Sequence, residues 1–290
     1  MQQVSPHVYI DPDHGGCTVG AIQTPEGVVL VDAPNRPTRA MRWLDEVRNL
    51  GEVCYLINTE HHIDHVFGNA FLPGTIIAHQ QTKERFWGKN VLGDNPLKDP
   101  RPYVEKCDPQ GLDAVDRYKA RGPEICFDGR LMLSLGDVRI EVFGMPGHIA
   151  ADTAVYLPGD RVLFTSDNVF HEAMTWYHEA LPFQWLETLD SFKRMDVEVV
   201  VPGHGHAAGP EVFDEMRRVV EDAVEGVQSA IRSGMTREEA TERITFIDRQ
   251  PVPREHRAYA PMLQRLFVGR IYDQVLERRS AGLSGSGARS

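Results

Sequence analysis

Five side chains able to bind a divalent metal fall within six consecutive residues, Glu60-His61-His62-Ile63-Asp64-His65. Imidazole and carboxylate are the donors that hold metals of borderline hardness, and a single histidine would say little. The cluster follows an apolar run at 53–58 that reads as a short strand. Its members therefore sit in a loop, where side chains can converge. The pattern recurs downstream: His148 in Pro146-Gly147-His148, Asp167 in Thr165-Ser166-Asp167, and His204 in Pro202-Gly203-His204-Gly205. Each follows, or nearly follows, an expected strand, which is how a fold brings distant ligands to one edge of its sheets. No serine stands in a G-x-S-x-G setting, so a serine-nucleophile hydrolase has little support.

The elements that must position these groups are short. Residues 8–10, 17–23 and 28–32 read as strands separated by Asp-His-Gly-Gly and Thr-Pro-Glu-Gly turns. Thr38 is expected to cap a helix running to Leu50, with Met41, Leu44 and Val47 on one face and Gly51 as the stop. A further strand is expected at 76–79. Residues 83–129 carry prolines, scattered charges and aromatics, the composition of an insertion or lid. Strands resume at 131–135, 138–143, 153–157 and 161–165, the last pair flanking the turn Leu157-Pro158-Gly159-Asp160-Arg161. A helix over 182–195 leads to an apolar strand at 197–201. Helices are then expected at 210–233, from 236, and at 259–278. Residues 1–279 read as one domain, a size that layered α/β folds reach. The Gly/Ser-rich tail 280–290 is expected to be disordered.

The order and spacing of these clusters resemble the metallo-β-lactamase superfamily, whose hallmark is H-x-H-x-D-H, then His, then a bridging Asp, then His. The surroundings match as well, in residues 17–32 ahead of the motif and in Phe164-Thr165-Ser166-Asp167 at the bridging position. The likeness covers roughly residues 4–205. It implies an α/β fold, the four-layer αββα sandwich with a helical C-terminal extension, and a metal-dependent hydrolase. It assigns His62 and His148 to a first metal, Asp64, His65 and His204 to a second, and Asp167 to a place between them. Glu60 stands where the family has histidine. Either it ligates through a carboxylate oxygen, or it weakens the first site so that one metal alone is held tightly. His61 points the other way along an extended chain. Zn2+, one or two per chain, is the default ion, with Mn or Fe acceptable to the oxygen donors. The implied chemistry is attack by a metal-activated water, with Asp64 both ligating and handling the proton.

The stretch from Phe170 to His178 follows Asp167 closely. His171, Trp176 and Tyr177, with Phe86, Trp87 and Tyr103 from the insertion, are expected either to line a pocket for a small apolar or aromatic substrate or simply to pack the insertion against the body. His178 and His171 are candidate proton donors or oxyanion stabilisers, and Arg85 and Lys89 could meet a substrate carboxylate. Esters, lactones, amides and activated rings, including hydrolytic dehalogenation, all fit such a site. The alternatives are an iron-dependent redox enzyme of the same superfamily or a degenerate ligand-binding member. The net charge of −11, with acids and bases interspersed, leaves no basic stripe for nucleic acid. No apolar run approaches the ~20 residues of a membrane span. Cys17, Cys54, Cys107 and Cys126 form no C-x-x-C pair and are expected as thiols in a reducing, cytoplasmic setting, with no export signal ahead of them. The last helix carries Met262, Leu263, Leu266, Ile271 and Val275 near helical spacing, for the core first and with a face to spare for a homodimer.

Overall fold

β-Branched runs separated by turn residues favour short paired strands, and here they assemble into two facing sheets. The structure is a computed structural model describing residues 1–12, 16–89, 91, 93–246, 250–252 and 257–286, with side chains described as far as 280. Strands β1 (Gln2–Gln3), β2 (Val8–Asp11), β3 (Val19–Thr24) and β4 (Gly27–Val31) form an antiparallel meander. Helix α1 (Pro37–Val47) carries the chain back to β5 (Val53–Asn58), which pairs parallel to β4. The short α2 (Ile63–Val66) precedes β6 (Thr75–His79). Helices α3 (Gln80–Arg85), α4 (Pro100–Cys107) and α5 (Leu112–Val115) precede β7 (Ile125–Phe127). Strands β6 and β7 extend the parallel part, so the seven strands lie in sequence order.

The second sheet is built from β8 (Arg130–Leu135), β9 (Val138–Gly144), β10 (Thr153–Leu157) and β11 (Val162–Phe164), each antiparallel to its predecessor. Helix α6 (Pro182–Phe192) then crosses to β12 (Val199–Val201), which lies parallel to β11. The chain ends in α7 (Val212–Arg232), α8 (Arg237–Arg243) and α9 (Ala260–Ser286).

Alternation along each strand gives both sheets an apolar inner face. Ile10, Ile22, Val29 and Ile57 from the first sheet meet Ile140, Val142, Val155 and Phe164 from the second. The outer face of the first sheet packs on α1 through Trp43 and Val47 against Leu30 and Leu56. The outer face of the second packs on α6, α7 and α9 around Trp185, Phe213 and Phe267. The layers therefore run α, β, β, α, the sandwich that the resemblance implies.

Several local expectations need correction. Thr38 does not cap α1: that helix starts at Pro37, and Thr38 gives its N–H and hydroxyl to Asp108, both at 2.9 Å. A carboxylate from the insertion thus sits at the positive end of the helix, a favourable place for it. The segment 83–129 is not wholly an excursion, because β7 is a strand of the first sheet. Its Phe86, Leu97 and Val104 pack on Val66 and Phe67, directly behind the histidine cluster. Helix α9 runs on to Ser286, inside the tail for which disorder is expected, because extending a helix already formed costs far less than starting one; residues 287–290 lie outside the described residues. Leu263, Ile271 and Val275 of α9 are buried in the core, while Met262 and Leu266 face outward. The four cysteines are free thiols. Among the described residues no helix is long and apolar enough to cross a membrane.

Trp185 joins the helical layer to the strand ends: it is fully buried, and its indole N–H donates to the Asn168 carbonyl at 2.9 Å. Trp185→Ala is expected to cost about 3–5 kcal/mol. Urea unfolding would show this as a lower midpoint with the slope unchanged.

Candidate metal centre

Strands β4, β5, β9, β11 and β12 all end at one rim of the sandwich, and each is followed by a polar residue of the cluster. Asp32 follows β4, Glu60 follows β5 by two residues, and α2 presents Asp64 and His65. His148 follows β9, Asp167 sits in the single 3-10 turn after β11, and His204 follows β12. The parallel pairings of β4 with β5 and of β11 with β12 are what bring like ends together.

The side chains converge closely. His65 Nε2 lies 3.0 Å from Glu60 Oε1 and 3.2 Å from Asp167 Oδ1. His204 Nε2 lies 3.2 Å from Asp64 Oδ2 and 3.3 Å from Asp167 Oδ2. His62 Nδ1 is 2.6 Å from Glu60 Oε2 and 3.4 Å from His148 Nε2, which is in turn 3.7 Å from Asp167 Oδ2. Glu60, His62, Asp64, His65, His148, Asp167 and His204 are thereby one cluster. Both oxygens of Glu60, His65 Nε2 and Asp167 Oδ1 are buried, make no well-aligned hydrogen bond among the described residues, and meet only as ion pairs that need a protonated imidazole. An unsatisfied buried polar atom costs about 1–3 kcal/mol. Several such atoms turned towards one another are the arrangement that a bound cation satisfies, and this mixture of imidazole and carboxylate fits a divalent ion.

A second layer of contacts aims these donors. His65 Nδ1 lies 2.9 Å from Asp32 Oδ2, and Asp32 also accepts the Thr59 N–H at 2.8 Å and hydroxyl at 2.6 Å. Occupying Nδ1 leaves Nε2 free to face the cluster. His148 Nδ1 donates to the Trp176 carbonyl at 2.9 Å, which does the same for that ring. The Asn168 side chain accepts the His148 N–H at 3.1 Å and donates to the Met145 carbonyl at 2.7 Å. Phe170 stacks on His204 with ring centres 5.3 Å apart. Gly203 has no room for a side chain: a Cβ there would lie 2.0 Å from Asp167 Oδ1.

Burial opposes charge on all of these groups, yet their neighbours outweigh it at several. The Asp167 and Asp64 carboxylates push the His204 imidazole up to about 10, and Glu60 pushes His62 up to about 9. His62 and His65 in turn hold Glu60 well below the usual carboxylate range in spite of its burial. Burial lowers His148 and His178, which stay neutral and ready to donate a lone pair. A metal needs neutral imidazole, so its uptake would release protons from His62 and His204.

The aromatic pocket expected from the sequence is not formed. Tyr177 is fully buried in the helical core, and the Tyr103 ring packs 5.0 Å from Phe67. Trp176 meets Phe267 at 5.6 Å, His171 Nδ1 donates to the His206 carbonyl at 2.8 Å, and Trp87 is about half exposed beside Phe86. Large rings gain most by leaving water altogether, and here they anchor the loop after Asp167 and the insertion to the body. Beside the cluster lies instead a cavity of about 310 Å³ with largely polar walls: His61, Arg85, His178, Glu179 and Arg270 line it, with Gln81, Leu181 and two alanines. Arg85 pairs with Glu179 at 2.7 Å, and His61 lies 3.7 Å from the same carboxylate. Lys89 and Phe86 line a much smaller cavity next to it. Sequence reasoning passed over Asp32, Asp152 and Glu179. Asp152 accepts the Ile149 N–H at 2.7 Å and the Ser166 hydroxyl at 3.0 Å. An acid directly after the apolar run 28–31 was a signal that could have found Asp32.

A family model described as the metallo-beta-lactamase superfamily matches residues 12–204. A linear primary-alkylsulfatase from a Pseudomonas species is 22% identical over 289 residues, covering 85% of this chain and 52% of its own. A hydroxyacylglutathione hydrolase from Brucella ovis is 28% identical over 149 residues, covering 51% of this chain and 44% of its own. The chain spans about half the length of these curated relatives. Among solved structures, a metallo-beta-lactamase family protein from Thermus thermophilus superposes with a TM-score of 0.65 at 18% identity, over 96% of each chain. A stereoselective inverting sec-alkylsulfatase from a Pseudomonas species gives 0.68 at 16% identity, over 94% of this chain and 49% of its own. At these identities the likeness to solved structures is one of fold.

Two outcomes follow from the second layer and the charges. Asp32→Asn removes the acceptor that aims His65 and is expected to weaken metal binding by about 10–100-fold, read by chelator competition. In the metal-free chain, the raised His62 and His204 contribute stability that is complete below the unfolded value of about 6.5 and is lost as pH rises through about 9 to about 10. Thermal unfolding in chelator should therefore show a falling midpoint between pH 6.5 and 10; a rising one would contradict the assignment.

Proposed function

Because the chain belongs to the metallo-β-lactamase superfamily, we propose that it is a metal-dependent hydrolase of small anionic esters or thioesters. The observation that carries the reading is the convergence of Glu60, His62, Asp64, His65, His148, Asp167 and His204. Four of their buried atoms are turned to one another and make no well-aligned hydrogen bond among the described residues, meeting only as close ion pairs. Asp64, His65 and His204 would hold one ion and His62 and His148 another, with Glu60 and Asp167 between them. We assign zinc as the ion, although the carboxylates would also accept manganese or iron. Such an ion, when bound, supplies Lewis acidity and lowers the pKa of a coordinated water towards ~7.

The rest of the chemistry belongs to the side chains. The Asp64 side chain is 26% exposed, whereas Glu60 is fully buried and Asp167 nearly so. Asp64 is thus the carboxylate of the cluster placed to orient an incoming water, take its proton and pass it to a leaving group. The cavity beside the cluster favours an anion. Arg85 is offset by Glu179, but Arg270 has no carboxylate opposite it among the described residues: its Nε and Nη2 go to the carbonyls of Ala180 and Glu179 at 2.8 and 3.3 Å. That surplus positive charge suits a sulfate or carboxylate next to the scissile bond better than an aromatic ring. The alkylsulfatase and hydroxyacylglutathione hydrolase among the relatives support the same class.

The test combines metal content and turnover. Protein purified without added metal is expected to carry zinc and to hydrolyse one of dodecyl sulfate, p-nitrophenyl sulfate or S-lactoylglutathione. Asp64→Asn should lower kcat by about 100-fold or more. Glu60→Gln should lower metal content. Wild-type protein that takes up no divalent metal, or whose turnover survives chelation intact, would sink the reading.

A further inference from the structure

The leading position of the motif holds Glu60, so the His62–His148 pair lacks the third nitrogen that a histidine there would supply. Glu60 does not simply stand in for it. Its Oε1 lies 3.0 Å from His65 Nε2, and one donor atom from each of Glu60, His65 and Asp167 falls within 4.8 Å of the other two. Its Oε2 lies 2.6 Å from His62 Nδ1, so it bridges the two ligand sets and occupies that nitrogen of His62. On the opposite side of His62 a different residue arrives. His178 Nε2 lies 3.1 Å from His62 Nε2, with ring centres 4.7 Å apart, and the His148 and His178 ring centres are 5.7 Å apart. One nitrogen from each of His62, His148 and His178 lies within 4.8 Å of the other two. The second nitrogen of His178, Nδ1, is buried and has no hydrogen-bond partner among the described residues.

We propose that His178 is the third nitrogen ligand of the first metal site, replacing from a distant loop the histidine that the motif lacks. This rests on the metal-centre reading above and refines it. The two sites become His62-His148-His178, with His62 binding through Nε2 while Glu60 holds its Nδ1, and Asp64-His65-His204, with Asp167 between them, and His178 is a ligand in place of a proton donor. Three imidazoles are an established donor set for zinc. The loop that brings His178 is held at several points, as a ligand's support must be. The Trp176 carbonyl takes the His148 Nδ1–H at 2.9 Å, Leu181 N–H donates to the Gly147 carbonyl at 2.8 Å, and Arg270 binds the carbonyls of Glu179 and Ala180. The Tyr177 ring beside it is locked in the core. A further consequence is chemical: an all-nitrogen first site prefers zinc, while the site with Asp64 tolerates manganese or iron.

The test compares wild type with His178→Ala and His178→Gln. Metal per chain is measured by elemental analysis, zinc affinity by competition with a chromophoric chelator, and site geometry by the visible spectrum of the cobalt-substituted protein. Wild type is expected to hold about two equivalents of zinc, and both variants about one, with the weaker affinity down by more than about 100-fold and a changed cobalt spectrum. Thermal unfolding of the metal-stripped chains separates ligand loss from misfolding; if the alanine variant does not fold, the glutamine variant decides. His178→Gln holding two equivalents at wild-type affinity would overturn the proposal, since glutamine can accept the His62 N–H as well as histidine can. Wild type holding a single ion, with both variants equal to it, would overturn it too. Wild type holding none would instead overturn the metal centre itself.

Discussion

Burying like charges together is the constraint to which the rest of this molecule answers. Glu60 and Asp167 lie almost out of reach of water and Asp64 lies beside them, in a cluster that also contains His62, His65, His148 and His204. A carboxylate taken from water costs several kcal/mol unless positive charge or hydrogen bonds replace the solvent. Without a metal the protonated imidazoles supply that charge, which is why His62 and His204 hold their protons so strongly. With one, the ion does. Either way the carboxylates and imidazoles must stay in register to within a fraction of an ångström, and this demands a rigid frame.

The frame is two sheets whose strand ends share a rim. Parallel pairing sets β4 beside β5 and β11 beside β12, so the turns that follow them meet. Those turns are fixed by polar contacts that bury no free charge: Asp32 ties β4 to Thr59 and His65, and Asn168 ties the Asp167 turn to His148 and Met145. Behind them, Trp185 and Phe170 press apolar area against His148 and His204. Packing supplies stiffness, and the hydrogen bonds supply direction.

The loop from 169 to 181 and the insertion show the opposite allocation. Apart from the half-exposed Trp87 their aromatic rings pack into or against the core, and the charged and imidazole groups left facing the cavity are His61, Arg85, His178, Glu179 and Arg270. Composition alone made these rings look like the walls of a pocket. The difference is energetic: a Tyr or Trp ring is worth more in full burial than in partial contact with a ligand, whereas an arginine stays charged and is costly to place where neither water, a hydrogen-bond acceptor nor an anion can reach it.

The residue types of the cluster were legible in the sequence because few side chains can hold a metal. His62, Asp64, His65, His148, Asp167 and His204 could be named from residue type and from their place after apolar runs, and the layered fold followed from the resemblance those motifs carry. Short-range patterning carries such information since a strand's alternation and a turn's glycine act over a few residues. What spacing along the chain does not contain is distance across it. That His178 lies 3.1 Å from His62, that Glu60 bridges His62 and His65, that Asp108 rather than Thr38 serves the start of α1, and that Arg270 of the last helix reaches the cavity are all decided by how the layers stack. Residues far apart in sequence have no local signature of contact, and only the packing of one sheet on the other brings them together.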